Sequence, residues 1–209
     1  MNAPRSEPAR RIDATLLSAR ERYQLFTSLV VPRPIGWIST WDAEGGANLA
    51  PYSFFAALSS SPMLVGVSIG QRAGRPKDTL LNIRARRAFC VNVVSEPLLE
   101  AMNATSAEVE PGVDEFALAG LARGTSERVD APFVEVCPAV LECVFRQEVD
   151  LGGAPNTLAI GEVLGVRLAA GLPLPDGTLS VPFEALRPVG RLSGFEYMLP
   201  DRLRVLPRP

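Results

Sequence analysis

The chain has 209 residues, 47% of them hydrophobic, with 21 basic against 23 acidic side chains and no histidine. Such a length buries a sizeable core and fits one domain with terminal extensions, and a net charge of −2 offers no general field for nucleic acid. Without histidine there is no Ser-His-Asp or Cys-His nucleophile, no His-ligated zinc hydrolase site and no zinc deaminase site, whereas chemistry carried by a bound organic cofactor stays open.

Residues 1–14 read as a polar arm containing proline and arginine, residues 15–197 as the folded domain and residues 198–209 as a Pro-rich tail. The N-terminus lacks the apolar stretch of a signal peptide, so the chain is expected in the cytoplasm. From Ala14 to Leu29 the positions Leu16, Leu17, Tyr23, Leu25, Phe26 and Leu29 suit one or two helical turns packed on a core, and Pro32 and Pro34 end any helix. Ile35 to Trp41 is rich in β-formers, Asp42 to Gly46 makes a Gly-containing turn and Ala47 to Tyr52 returns, which predicts a hairpin. The uncharged run from Gly45 to Gln71 is long enough to span a membrane, but Pro51, Pro62 and repeated serines read as a buried pair of strands, with no membrane involved.

The next strand, Met63 to Gly70, alternates in an informative way: Met63, Val65, Val67 and Ile69 lie on one face, Gly66, Ser68 and Gly70 on the other. Small residues in a strand admit either a second backbone or a flat ligand. Asp78 is expected to cap a short helix from Thr79 to about Arg87, with Leu80, Leu81 and Ile83 available for burial and Arg84, Arg86 and Arg87 complementing the helix dipole. A strand over Ala88 to Val94 and a helix from Pro97 to Ala104 follow, then a loop-rich excursion over residues 105–135. Two long strands close the pattern: Ala139 to Val149, alternating Leu141, Cys143 and Phe145 against Glu142, Arg146 and Glu148, and Thr157 to Leu168. Many antiparallel strands, a few short helices and no βαβ rhythm predict a mainly β, barrel-type fold. Cys90, Cys137 and Cys143 lack metal-ligand spacing and read as reduced, buried thiols.

Lys77 is the only lysine among the basic residues, set in Gly74-Arg75-Pro76-Lys77-Asp78-Thr79. An ammonium is a compact point charge that suits one phosphate oxygen, whereas a guanidinium is a planar fork. The string has the glycines, lysine and threonine of a P-loop but not its spacing, and no Gly-x-Gly-x-x-Gly follows a strand. A helix N-terminus nevertheless attracts anions: amides of residues 79–81, the Thr79 hydroxyl and Lys77 together suit one monophosphate, with Lys77 also offsetting Asp78.

Several strings, in order and sensibly spaced, carry a resemblance. Val31-Pro32-Arg33-Pro34-Ile35-Gly36-Trp37-Ile38-Ser39-Thr40, Asn48-Leu49-Ala50-Pro51-Tyr52-Ser53-Phe54-Phe55, Lys77-Asp78-Thr79-Leu80-Leu81-Asn82-Ile83, Phe89-Cys90-Val91-Asn92-Val93-Val94, Gly161-Glu162-Val163 and Pro188-Val189-Gly190-Arg191 onward to Tyr197 closely resemble the flavin reductase-like family with the FMN-binding split barrel, in its flavoredoxin-type branch. The resemblance spans residues 20–197. It implies an antiparallel Greek-key split β-barrel with a few short helices that forms a homodimer and binds FMN non-covalently. It further implies that Ile35, Tyr52, Ser53, Phe54 and Phe55 lie along the flavin, and that Ser68, Ile69, Gly70, Lys77, Asp78 and Thr79 hold ribityl and phosphate. Arg167 stands where relatives often carry a histidine, and Ser193 where many carry glycine.

The function this resemblance implies is an NAD(P)H-dependent flavin reductase-like oxidoreductase: NADH or NADPH gives hydride to the flavin, and electrons pass on to free flavin, a monooxygenase or another acceptor. No side chain is expected to act as catalytic acid, base or nucleophile, because hydride transfer needs alignment and exclusion of water. A non-catalytic FMN-binding electron carrier or flavin-storage module shares the same fold and is the rival reading. Arg187 and Arg191 are candidates to meet a dinucleotide phosphate, against the commoner fate of surface salt bridges.

Overall fold

A computed structural model describes residues 9–206. Its centre is an eight-stranded, wholly antiparallel sheet. The long strands are β1 (Gly36–Trp41), β2 (Ala47–Tyr52), β3 (Phe55–Ser60), β4 (Met63–Arg72), β5 (Ala88–Val93), β6 (Ala139–Asp150) and β7 (Asn156–Leu168). They run in the order β2-β1-β5-β6-β7-β4-β3, with Arg75–Pro76 folded back on the end of β4. The two edges of this order, β2 and β3, are consecutive in sequence and joined only by Ser53 and Phe54. The sheet therefore curls almost onto itself and stays split at that bend, the split-barrel form the sequence implied. Residues 1–8 of the arm lie outside the described residues.

Each face of the curled sheet has its own core. Inside lie Ile38, Val65, Val67, Ile69, Phe89, Val91, Cys143, Phe145 and Ala159, closed at one end by Leu80 and Ile83 of α2 (Asp78–Arg86). Burying those two side chains stabilises the fold by roughly 1.5–3 kcal/mol each and anchors α2 against the barrel. Outside, Trp37, Leu49, Cys90 and Val140 pack against Met102 of α3 (Leu99–Ala104) and Phe116 of α4 (Glu115–Leu118). The ring of Phe89 stands where a side chain at Gly161 would begin, 2.3 Å from the position of a Cβ, so only glycine fits there.

The excursion over residues 105–135 is tied to the sheet by buried polar bonds. Trp37 Nε1 donates to Thr105 Oγ1 at 2.9 Å, Ser39 Oγ donates to the Pro132 carbonyl at 2.6 Å, and Asn92 accepts the Val134 amide while donating to Ser39 and the Trp37 carbonyl. The excursion holds α4 and a short pairing of Arg123–Thr125 with Pro132–Val134.

Two expectations need correction. The helix α1 (Ala19–Leu29) is present, with Ser18 and Glu21 forming a capping box, but it does not pack its apolar side on the core: Tyr23 is 61%, Phe26 56% and Leu29 71% exposed, and only Thr27 is buried. Asp78 is the first residue of α2 rather than its cap; Lys77 occupies the cap position and no side chain caps the helix. Along β6 the expected alternation holds, with Leu141, Cys143 and Phe145 on the inner core, while Glu142 on the opposite face is buried and accepts from Ser126 Oγ of the excursion at 2.6 Å. The three cysteines are buried free thiols, as expected.

Candidate functional site

The start of α2 is set by its anchor. Leu80 and Ile83 fix the helix in the barrel end, and the Lys77 carbonyl accepts the amides of Leu80 and Leu81 at 2.9 and 3.2 Å. The free donors at this terminus are thus the amides of Asp78 and Thr79, not those of residues 79–81. Lys77 makes no ion pair among the described residues; its ammonium lies 5.6 Å from the centre of the Tyr52 ring. An uncapped, anchored helix start beside an unpaired ammonium is an anion-attracting arrangement.

Behind it runs a directed chain of hydrogen bonds. Tyr52 Oη donates to Thr79 Oγ1 at 2.9 Å, Thr79 Oγ1 donates to Asn48 Oδ1 at 2.7 Å, and Asn48 Nδ2 donates to both Glu115 carboxylate oxygens at 3.1 and 3.2 Å. Glu115 also accepts the Leu49 amide at 2.9 Å. Thr79 has one hydroxyl hydrogen and it is committed to Asn48, so its side chain holds the strand and its amide is what faces an anion. Burial raises the Tyr52 phenol above its usual range and raises the Glu115 carboxyl, with the neighbouring Asp78 charge a smaller contributor to both.

The bend that splits the sheet carries the second group of expected residues. Arg33, 6% exposed, donates to the Thr27 and Val30 carbonyls at the end of α1, to the Leu192 carbonyl and, at 3.4 Å, to Ser53 Oγ. The Phe54 carbonyl accepts the Ser68 amide at 2.8 Å, which ties the bend to β4. The Phe54 ring meets Phe26 edge-on with centroids 6.2 Å apart, and the Phe55 ring lies on Gly36. Ile35 and Ile69 point into the outer and inner cores, so only their backbones face any ligand at the bend. On the small-residue face of β4, Leu58 and Leu158 fill the space over Gly66, while Asn156 donates to Ser68 Oγ at 3.1 Å and lies over Gly70.

A cleft of about 770 Å³ opens from the helix start, between the residue 72–76 turn and the residue 105–111 segment. It is lined by Asn48, Tyr52, Lys77, Asp78, Thr79 and Glu115 of the polar chain; Ser53, Phe54 and Phe55 do not line it. The expected residues therefore fall into two neighbouring groups, one at the bend and one at the cleft, with Tyr52 between them.

Arg187 and Arg191 are engaged locally, the first with Glu96 and the second with the Gly194 carbonyl and the Tyr197 ring. Arg167 pairs with Glu135 at 3.1 Å and lies over Phe133. Three site residues went unnoticed in the sequence: Arg33, Asn48 and Glu115. The first two are polar residues within apolar strings, a readable signal. Glu115 lies in the aperiodic excursion, where the only local cue is Asp114, whose side chain caps α4.

Comparison with known proteins places these features. The pattern of the flavin reductase like domain matches residues 28–178. A protein of Deinococcus radiodurans is 40% identical over 187 residues, covering 87% of this chain and 82% of its own. Among solved structures, nitrilotriacetate monooxygenase component B from Bacillus cereus has a TM-score of 0.91 at 30% identity, over 96% of this chain and 100% of its own. Pseudomonas fluorescens 2-nitrobenzoate 2-nitroreductase has a TM-score of 0.86 at 28% identity, over 95% of this chain and 96% of its own.

Proposed function

The chain belongs to the flavin reductase-like family, and on that footing we propose that it is an oxidoreductase that binds FMN non-covalently, takes hydride from NADH or NADPH and passes electrons to free flavin, a monooxygenase or another acceptor. The observation that carries the reading is the start of α2: an unpaired Lys77 and two free amides, locked in place by the Tyr52–Thr79–Asn48–Glu115 chain, beside the bend that splits the barrel. These residues fit a flavin mononucleotide, because they supply positive charge and backbone donors for one phosphate without a histidine or a metal.

In this reading Lys77 and the amides of Asp78 and Thr79 hold the phosphate, and Asp78 limits the site to a single well-placed anion. Backbone groups of Ser53, Phe54 and Phe55 meet the polar edge of the ring system, with Ile35, Ser68, Ile69 and Gly70 backing it. Arg33 fixes the bend by tying it to α1 and to Leu192. When bound, FMN supplies hydride acceptance and electron release; the protein aligns, shields and tunes.

A homodimer fits the exposed apolar surface. On the outer face of β3, β4 and β7, Ala56 and Ile160 flank Gly66, the 47% exposed Leu58 lies over that glycine, and α1 presents Tyr23, Phe26 and Leu29. Monomers rarely leave such area in water. Among the described residues no helix is long and apolar enough to cross a membrane.

The test is anaerobic addition of NADH or NADPH to FMN-loaded protein. Bleaching of the visible flavin band is expected. A preparation that takes up FMN but bleaches with neither donor is a carrier or storage module instead.

A further inference from the structure

We propose that Arg33, reinforced by Arg191, is a positive charge held in place to favour the negative charge that arrives on the flavin with hydride. The inference rests on the flavin reading, since it takes the ring system to lie along the bend at Ser53 to Phe55.

Two arginines meet at this bend without a counter-charge. Arg33–Pro34 and Gly190–Arg191 pair antiparallel, with Arg33 directly opposite Arg191 and Pro34 opposite Gly190. Like charges at directly opposed positions destabilise a strand pair, and neither arginine makes an ion pair among the described residues. Arg33 is also buried, a setting in which a lone cation is costly.

Every group that Arg33 touches is neutral. It donates to the Thr27, Val30 and Leu192 carbonyls and to Ser53 Oγ, and lies 6.0 Å from the centre of the Phe54 ring. Arg191 donates to the Gly194 carbonyl and lies over the Tyr197 ring at 4.5 Å. Thr27 and Val30 belong to the C-terminal end of α1, whose dipole offers roughly half a negative charge against two positive ones. Burial pulls the Arg33 guanidinium below its ordinary value and Arg191 adds to the pull, yet a guanidinium does not escape by releasing its proton. Excess positive charge therefore remains on the residue that holds the bend through Ser53. A tie to carbonyls needs donors and gains nothing from an uncancelled charge.

Hydride transfer supplies the missing anion. A C–H bond of the dihydronicotinamide breaks and an N–H bond forms on the flavin, so two electrons and one proton move together: the oxidised donor leaves with one more positive charge and the reduced flavin gains one negative charge. The oxidised ring system is neutral, so a fixed cation beside it acts chiefly on the charge that develops. In this role Arg33 raises the flavin's potential and exchanges no proton.

The measurements are Kd values of FMN, oxidised and dithionite-reduced under anaerobic conditions, the midpoint potential of the bound flavin and a melting curve, for wild type, Arg33→Gln, Arg33→Lys and Arg191→Gln. Arg33→Gln is expected to weaken reduced FMN at least about tenfold more than oxidised FMN, which lowers the potential by about 30 mV for a two-electron couple. Arg33→Lys keeps the charge and is expected to hold the wild-type ratio to within about twofold, ~9 mV, even where its melting temperature falls. Arg191→Gln removes the partly exposed charge and leaves the buried ties of Arg33 in place; its ratio is expected to fall at least about threefold, ~14 mV, and it decides the test alone where Arg33→Gln does not fold. Equal losses in both redox states, a lysine variant that falls as far as the glutamine variant, or an Arg191→Gln protein equal to wild type makes Arg33 a structural tie only and overturns the inference, while the flavin reading stands. Wild type that binds FMN in neither state overturns the flavin reading itself, and this inference with it.

Discussion

The Tyr52 hydroxyl donates to Thr79 Oγ1 across 2.9 Å, joining the last residue of a barrel strand to the second residue of the helix that closes the barrel. Because Thr79 is in turn committed to Asn48, the bond has a fixed direction. Tyr52→Phe removes a donor and leaves Thr79 satisfied, so a loss of about 0.5–1.5 kcal/mol is expected. Thr79→Val leaves the buried Tyr52 hydroxyl without its acceptor and removes the nearer of the two donors to Asn48 Oδ1, and the expected loss rises to about 1–3 kcal/mol. Urea unfolding of the two variants checks the order; a Thr79→Val protein no weaker than Tyr52→Phe contradicts the direction of the chain.

Lys77→Ala is expected to weaken FMN binding by roughly tenfold to a hundredfold, the value of about 1.5–3 kcal/mol for a charge-assisted bond. The melting temperature should not move, because the side chain makes no ion pair among the described residues. Lys77→Arg should recover only part of the affinity, since a fork does not replace a point charge. Fluorescence titration with FMN decides it, and unchanged affinity in Lys77→Ala returns this residue to the solvated surface.

Glu115 makes the stability depend on pH in an identifiable sense. Its carboxyl is raised above the ordinary 4.5, first by burial, so between the unfolded and folded values the native state binds more protons than the unfolded chain. The stability it contributes is full below about 4.5 and is lost as pH rises through the folded value. Asp13, Glu21 and Glu148 shift the other way, through side-chain bonds to Thr15, Ser18 and Arg84. The difference between wild type and Glu115→Gln therefore isolates Glu115: denaturation free energies compared across acid and neutral pH should show wild type losing ground as pH rises. A flat difference curve counts against a raised carboxyl.

Leu58→Glu tests the proposed dimer. The residue is 47% exposed on the outer face of β3, where a charge is solvated in a monomer and buried in an interface. Sedimentation is expected to show a dimer for wild type and a 22.4 kDa species for the variant with its fold retained. A wild type that sediments as a monomer at micromolar concentration removes the dimer.

The sequence by itself determined the strands, the hairpin, the helix after Lys77 and the family, because period-2 patterning, Gly and Pro punctuation and a lone lysine are local properties of the chain. It did not reveal that α1 lies with Tyr23 and Phe26 exposed, since apolar spacing says that a face must be covered and not by what. Nor did it reveal that Glu142, on the outer face of β6, is buried and bonded to Ser126, because what covers a sheet face is set by the docking of the excursion. The site divides along the same line. Lys77, Asp78 and Thr79 were legible as a helix start, but the bond from Thr79 to Asn48, and from Asn48 to Glu115, joins residues far apart in the chain. Only the curl of the sheet and the docking of the residue 105–135 excursion bring those groups within hydrogen-bonding distance, and that closure decides which donors remain to face an anion.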